Sequence, residues 1–255
     1  MSGHSKWATI KRKKAATDSA RGRLFTRLIK EIAIAARDGG GNPEGNPRLR
    51  LAIQTGKAAN MPTDNIKRAI QRGTGELPGV SYEEITYEGY GPGGSAILVE
   101  VVTDNANRTV SELRHILSRN HGNLGQSGSV AWMFQKKGNI LVPKGNQKTH
   151  LTEDDLLSII LEAGAEDLQT DDESFVVITL PQFFEPSRKA LEDKSIKIES
   201  ASIQMIPQNT IRVTGKDAEQ LLKLLEALEE HDDVQNVYSN FDIEEKELAA
   251  IQASL

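Results

Sequence analysis

Cysteine is absent from this chain of 255 residues, and aromatic residues make up only 5% of it. Without cysteine there is no disulfide, no thiolate nucleophile and no cysteine-ligated zinc or iron–sulfur centre. A reducing compartment fits this absence. Because aromatics are sparse, the hydrophobic cores are expected to consist mainly of Leu, Ile, Val and Ala.

Long apolar runs are also missing. No run approaches the roughly 18 residues of a membrane span, and the N-terminus lacks the continuous apolar segment of a secretory signal. Residues 1–17 contain no Asp or Glu, as a mitochondrial presequence would, but they are rich in Lys rather than Arg. A membrane partner is therefore not expected.

Groupings typical of catalysis or metal binding are not found. The histidines after residue 100 stand alone, without metal-ligand spacing, and the acidic pairs fall at predicted helix ends or in turns. Ser127 and Ser129 have no evident base partner. The stretch GYGPGGSA at 89–96 lacks the Lys of a phosphate loop and runs into a strand, which favours a tight bend. The sequence therefore predicts a protein that is not an enzyme and needs no metal or cofactor.

The charge is divided unevenly along the chain. The net charge is −5 overall, but residues 1–75 hold 16 Lys and Arg against 5 Asp and Glu, a net +11. The remainder carries −16. A basic segment joined to an acidic body is typical of a polyanion-binding module, so nucleic acid is the expected partner. The acidic part could contact proteins.

Residues 1–23, called the leader, concentrate this basic charge. Flat side chains that could stack on bases are also present, and such interleaving suits irregular or single-stranded RNA somewhat better than duplex DNA. A solvated tail, with Trp7 packed on the helical domain, is the alternative. The leader residues expected to contact nucleic acid are His4, Lys6, Trp7, Lys11, Arg12, Lys13, Lys14, Arg21 and Arg23.

Three amphipathic helices are predicted over residues 24–37, 48–59 and 64–72. The first has an apolar stripe and, opposite it, a basic stripe of Arg23, Arg27, Lys30 and Arg37, which is expected to be an outer, phosphate-binding face. On the third, Lys67, Arg68 and Arg72 face away from the apolar residues. The last two helices could form a helix-turn-helix that reads bases, or a plain hairpin packing Ile53, Ile66 and Ile70.

A Gly- and Pro-rich linker at 73–81 leads into alternating strands and helices. After residue 94 the order is βαβ, then βαββαβ, then βαβ, and the middle run makes one ferredoxin-like unit. The predicted fold class is therefore α+β and multidomain: a helical domain followed by two ferredoxin-like sandwiches, one inserted in the other. The expected domains are 1–75, 82–135 joined to 208–243, and the insert 136–207. Two unrelated sheets are the alternative.

Several phrases together resemble the YebC/PmpR family, which includes the mitochondrial translational activator of cytochrome c oxidase. They are GHSKWATIKRKKAATDSARGRLFTRLIKEIAIAAR, NPRLRLAIQTGKAANMPTDNIKRAI, YEGYGPGGSAILVE, TDNANRTVSELRHILSRNHGNLGQSGSVAWMF and IPQNTIRV. His121 departs from the family pattern, which more often has Gly there.

The resemblance implies three domains, no catalysis and a cytoplasmic location. It also implies a nucleic-acid surface made by His4, Lys6, Trp7, Lys11, Lys14, Arg21 and Lys30. The family is generally labelled as DNA-binding transcriptional regulators. Some members are instead associated with the ribosome and with translation through difficult stretches such as proline runs, so ribosomal RNA is the alternative target.

Overall fold

A computed structural model describes residues 18–145, 151–170 and 173–254. It contains helices α1 to α8 and strands β1 to β10. The helices are Asp18–Gly39, Pro47–Ala58, Thr63–Gly73, Ala106–Arg119, Glu153–Glu162, Pro181–Asp193, Gly215–Glu229 and Glu245–Ser254. The strands are Glu83–Tyr90, Ala96–Thr103, Asn123–Leu124, Phe134–Pro143, Ala165–Thr170, Ser174–Thr179, Ser200–Pro207, Ile211–Arg212, Val234–Ser239 and Phe241–Asp242.

The predicted class, α+β with a helical region at the N-terminal end, is confirmed. Helices α1, α2 and α3 precede two four-stranded sheets and a short two-stranded one. Within the described ranges, every helix is too short or too polar to cross a membrane.

Helices α1 to α3 enclose one core, and a buried Asn sets their arrangement. The Asn46 side chain accepts a hydrogen bond from Leu49 N at 3.0 Å, which caps α2, and donates to the Ala35 carbonyl of α1 at 2.7 Å. At the end of α3, a Cβ on Gly73 would lie 2.1 Å from the Ala33 carbonyl, so only glycine permits this close approach. Ile53, Ile66 and Ile70 all pack in this core; the predicted hairpin packing is confirmed.

The first sheet has the order β3-β1-β2-β9. The Gly-rich bend joins β1 to β2, and these two strands pair along their whole length. Strand β2 also pairs with β9, where Ile97 lies opposite Ser239. Helices α4 and α7 supply buried leucines, among them Leu113 and Leu221, to the core against this sheet. Strand β2, which precedes the second sheet in the chain, therefore pairs directly with β9, which follows it.

The second sheet holds β4, β5, β6 and β7 in the order β5-β6-β4-β7, and every pairing is antiparallel. Helices α5 and α6 pack against it around Phe184 and Ile160. A capping box begins α5, because Thr152 and Asp155 bond each other's backbone.

Three details of the strand prediction are wrong. The sequence predicts no strand where β1 lies, and it predicts two separate strands over 128–135 and 138–144. Instead a 3-10 turn at Ala131–Met133 leads into the single strand β4, which runs across the expected boundary at 135/136. Strand β8 is only two residues long and pairs in parallel with β10, outside the four-stranded sheet.

Candidate nucleic-acid interface

Seven of the residues expected to contact nucleic acid lie outside the described ranges. They are His4, Lys6, Trp7, Lys11, Arg12, Lys13 and Lys14. Arg21, the next in the chain, is exposed on α1, with its guanidinium 5.5 Å from the centroid of the Phe25 ring. These residues remain predicted contacts.

The basic stripe of α1 does not form an outer face. It lies against the acidic α/β body, where α7 ends and β9 begins. Arg23 pairs with Glu230 at 3.5 Å, and Arg27 donates to the Glu229 carbonyl. Burial lowers the pKa of Arg27 from its ordinary value, although Glu229 opposes this. The expectation of a free stripe is therefore corrected: Arg23, Arg27 and Lys30 contact residues 229–233, whereas Arg37 is bound near β1.

Lys30 is the most deeply buried member of the stripe, with 7% of its surface exposed. Its ammonium lies 2.7 Å from Asp233 Oδ1, 2.9 Å from the Asp232 carbonyl and 3.2 Å from the Val102 carbonyl. These three acceptors match the three N–H donors of a lysine. Lys30 thus links the helical region to β2 and to the α7–β9 turn.

Asp233 is the centre of this junction, and it is only 5% exposed. Besides Lys30, its carboxylate accepts from Arg108 at 2.8 Å and from Thr109 at 2.7 Å, both on α4. Thr103 adds a bond at 3.1 Å. We call these five residues the Asp233 cluster. Burial by itself would raise the pKa of Asp233, but the bonds from Lys30, Arg108 and Thr109 outweigh it and hold that pKa well below its ordinary value.

The lowered pKa of Asp233 predicts a loss of stability in acid. A carboxyl whose pKa falls on folding stabilises the fold above its unfolded pKa, here close to 3.8, and that contribution disappears as the pH drops toward the folded value. The difference in free energy of unfolding between the wild type and Asp233→Asn should therefore be constant from pH 7 to about 5 and shrink below about 4. Urea unfolding at stepped pH measures it, and a difference that grew in acid would contradict the assignment.

Glu112, His231 and Asp233 bring their ligand atoms within 4.8 Å of one another. Their hydrogen bonds account for this grouping. His231 Nδ1 accepts from the Asp233 amide at 3.1 Å, so Nε2 carries the proton and donates to Glu112 at 2.8 Å. Both ring nitrogens of His231 are hydrogen-bonded, and the Asp233 carboxylate already accepts bonds from Lys30, Arg108 and Thr109. The three residues therefore connect α4 to the end of α7, and they do not form a metal site.

A second bridge joins the helical region to the first sheet. Arg48 of α2 binds Glu31 at 2.7 Å and also Glu84 of β1, and these two carboxylates hold its pKa well above the ordinary value. Arg37 donates to the Tyr82 carbonyl and pairs with Asp38 at 2.8 Å. Arg37, another predicted contact, is thus also engaged within the chain.

Four further cations of the helical region are exposed. Within the described ranges their side chains have no hydrogen-bond or ion-pair partner. They lie on the outer side of α3 and at the end of α2, opposite the buried Ile66 and Ala69. We call them the open cations: Lys57, Lys67, Arg68 and Arg72. Two of them, Lys67 and Arg68, are among the predicted contacts, and the structure brings these two together on one helix.

Sequence reasoning missed the residues that hold the junction. Arg108 lies in TDNANRT, a stretch to which the sequence assigns no role, and Asp233 lies in an acidic run that resembles ordinary solvated charge. The only signal for this contact in the sequence was that a basic stripe lies near one end of the chain and an acidic run near the other. Nothing local indicated that the two meet.

Residues 5–76 match the family described as TACO1/YebC protein N-terminal domain. Residues 82–241 match its TACO1/YebC second and third domain. The chain belongs to the TACO1/YebC family. The two TACO1/YebC matches meet near residue 80, where α3 has ended and β1 has not begun.

TACO1/YebC relatives extend over the whole chain. A "Probable transcriptional regulatory protein" of Chlorobaculum parvum is 58% identical over 253 residues, covering 99% of both chains. One of the same name from Chloroherpeton thalassium is 60% identical over 249 residues, covering 97% of this chain and 98% of that one. The crystal structure of Aq1575, a conserved hypothetical protein of Aquifex aeolicus, is similar with a TM-score of 0.81 and 48% identity. The matched region covers 89% of this chain and 93% of the Aq1575 chain.

Proposed function

We propose that this protein is a nucleic-acid-binding regulator that acts in the cytoplasm, binds promoter DNA and catalyses no reaction. One observation carries the proposal: the cations of the helical region divide into two sets. Arg23, Arg27 and Lys30 of α1 are held by the acidic body, whereas the open cations on α3 and at the end of α2 are exposed without partners among the described residues. Phosphates are the partners that such a surface fits.

The family relationship supports a regulatory role, because its relatives carry that name. The leader would extend the same surface, since it adds five Lys or Arg before residue 18. The acidic body would hold the helical region in one orientation through the Asp233 cluster.

We also infer that the three domains are 1–75, 82–135 with 208–243, and 136–207, and that both sandwiches are ferredoxin-like. For the insert, the strand order supports this. Counted along the chain its strands lie in the order 4-1-3-2, with two helices in the connections.

The salt dependence of binding tests the phosphate contacts. Each contact with duplex DNA contributes about 0.9 to the slope of log K against log salt. Replacing Lys67 and Arg68 by Gln is therefore expected to reduce the slope by about 1.8. The matched control replaces Arg114 and Arg119 on α4 by Gln, which removes the same charge from exposed positions on the acidic body. Equal slopes in both variants would contradict a role for α3.

Crosslinking in cells, followed by sequencing of the attached nucleic acid, separates the targets. Promoter DNA is the expected result. Recovery of ribosomal RNA would instead support the alternative of a ribosome-associated translation factor, and recovery of no nucleic acid would contradict both.

A further inference from the structure

Trp132 is the most exposed large hydrophobic side chain in the described part of the protein, with 66% of its surface accessible. It lies in the 3-10 turn that leads into β4, on the acidic body. Other aromatic side chains, such as Phe184 and Phe241, are fully buried in the cores, so a tryptophan left outside them calls for a reason other than packing.

The backbone around Trp132 is held by a buried carboxylate. Glu88 of β1, 7% exposed, accepts from the amides of Gly128 at 2.6 Å and of Val130 and Ala131 at 2.7 Å. Burial opposes its ionisation, but these three bonds outweigh burial and lower the pKa of Glu88. Three amides that could have bound a phosphate are thereby already used.

The chain after Trp132 is fixed as well. Gln208 donates its amide side chain to the Trp132 carbonyl at 3.0 Å, and its backbone N–H donates to the Met133 carbonyl at 2.9 Å. Val130, two residues before Trp132, is fully buried. The side chain is therefore displayed from a rigid turn and not from a loose loop.

The indole itself is also fixed. Its Nε1 donates to the Ser129 carbonyl at 3.1 Å. A tryptophan that anchors a protein interface usually offers this N–H to the partner, whereas here the donor is satisfied within the turn. What the ring still offers is its flat surface, which suits a planar partner that stacks.

The neighbouring exposed residues favour a base. Gln126 and Ser127 lie in the same loop and Asn209 follows Gln208, so the nearby side chains are neutral groups that both donate and accept hydrogen bonds. Base edges need such groups. Lys136, four residues after Trp132, is exposed and has no ion-pair partner within the described ranges.

We propose that Trp132 is a stacking platform for an unpaired nucleobase, and therefore a second nucleic-acid contact on the acidic body. It rests on the proposed function, because it takes the same class of ligand. It differs in chemistry: the open cations hold phosphates, whereas this turn holds a base with little help from charge. Single-stranded or locally opened nucleic acid is the ligand that fits both.

Intrinsic fluorescence gives a direct test. The chain has two tryptophans, so Trp7→Phe in the full chain leaves Trp132 as the sole tryptophan. Single-stranded 12-nucleotide RNA and DNA should quench its emission, whereas an abasic strand of equal length should bind without quenching. Bound oligonucleotide with unchanged emission would overturn this inference and leave the proposed function standing. Failure of all oligonucleotides to bind the wild-type chain would overturn both.

Affinity measurements complete the test. Trp132→Ala is expected to weaken binding of the base-bearing strand by about 5- to 150-fold, and Trp132→Phe by less. Affinity for the abasic strand should not change. The control is Leu161→Ala, which removes another exposed apolar side chain, from α5. Unchanged oligonucleotide affinity in Trp132→Ala, with loss of a co-purifying protein, would assign Trp132 to a protein interface and overturn the proposal.

Discussion

Replacing Lys30 by Met is expected to lower the free energy of unfolding by about 3–5 kcal/mol, the range measured when one partner of a buried ion pair is removed. Asp233 would keep Arg108 and two hydroxyls but lose its closest cation, at 2.7 Å. The carbonyls of Val102 and Asp232 would also lose their lysine donor. Denaturant unfolding of the full chain, followed by circular dichroism, measures the change.

The matched control is Arg23→Met, at another position of the same stripe. Its pair with Glu230 is longer, at 3.5 Å, and Glu230 is mostly exposed, so a cost of only about 0–1 kcal/mol is expected. If Lys30→Met cost no more than Arg23→Met, the Asp233 cluster would contribute little to stability. A cycle that combines Lys30→Met with Asp233→Asn isolates the coupling between the two residues.

Amide hydrogen exchange shows which elements lose stability in Lys30→Met. If the cluster fixes the helical region on the body, Lys30→Met should speed exchange at α1 and at the start of β9 more than at the second sheet. That result would also bear on binding, since the orientation of α3 follows from that of α1, through the core shared by Leu28, Ile32 and Ile66.

Periodicity predicted the helices of the N-terminal region but not their surroundings. A 3.6-residue repeat tells which side chains share a face; it says nothing about what that face meets. Lys and Arg are rarely buried, so an outward basic stripe was the natural interpretation. It failed because Glu230 and Asp233 supply partners from the opposite end of the chain. Long-range pairing of charge leaves no local pattern.

The strands illustrate a second limit. β2 is apolar along its length because it lies inside a sheet with both faces covered, and it was predicted correctly. β1 carries Glu83, Glu84 and Glu88 and does not resemble a strand, although it occupies an inner position between β3 and β2. Glu88 fits there because three amides of a distant turn donate hydrogen bonds to its carboxylate.

The outward position of Lys67, Arg68 and Arg72 was predicted from the sequence because its signal is local. On α3 the basic residues and the apolar residues alternate within one helix, so the buried face alone fixes which side is outside. Trp132 belongs to a phrase of the family pattern, but the sequence assigns it no role. Its exposure depends on the turn that Glu88 holds, and that contact joins two segments far apart in the sequence.

Removing residues 1–17 is expected to weaken nucleic-acid binding by about 100-fold or more near 0.1 M salt. The deletion removes five Lys or Arg, and for duplex DNA the salt slope should fall by up to about 4.5. Because α1 begins at Asp18, this truncation spares the helix and its contacts with Glu230 and Asp233. The unfolding midpoint should therefore remain close to that of the full chain.

A full-length variant with Lys11, Arg12, Lys13 and Lys14 replaced by Gln separates charge from stacking. If phosphate contact dominates, this variant should reproduce most of the loss in slope while Trp7 remains in place. Trp7→Ala should weaken binding by about 1–3 kcal/mol without changing the slope, and Trp7→Phe by less, if the ring stacks on a base. If the truncated chain bound with wild-type affinity, residues 1–17 would not belong to the interface. The open cations would then be its proposed phosphate contacts.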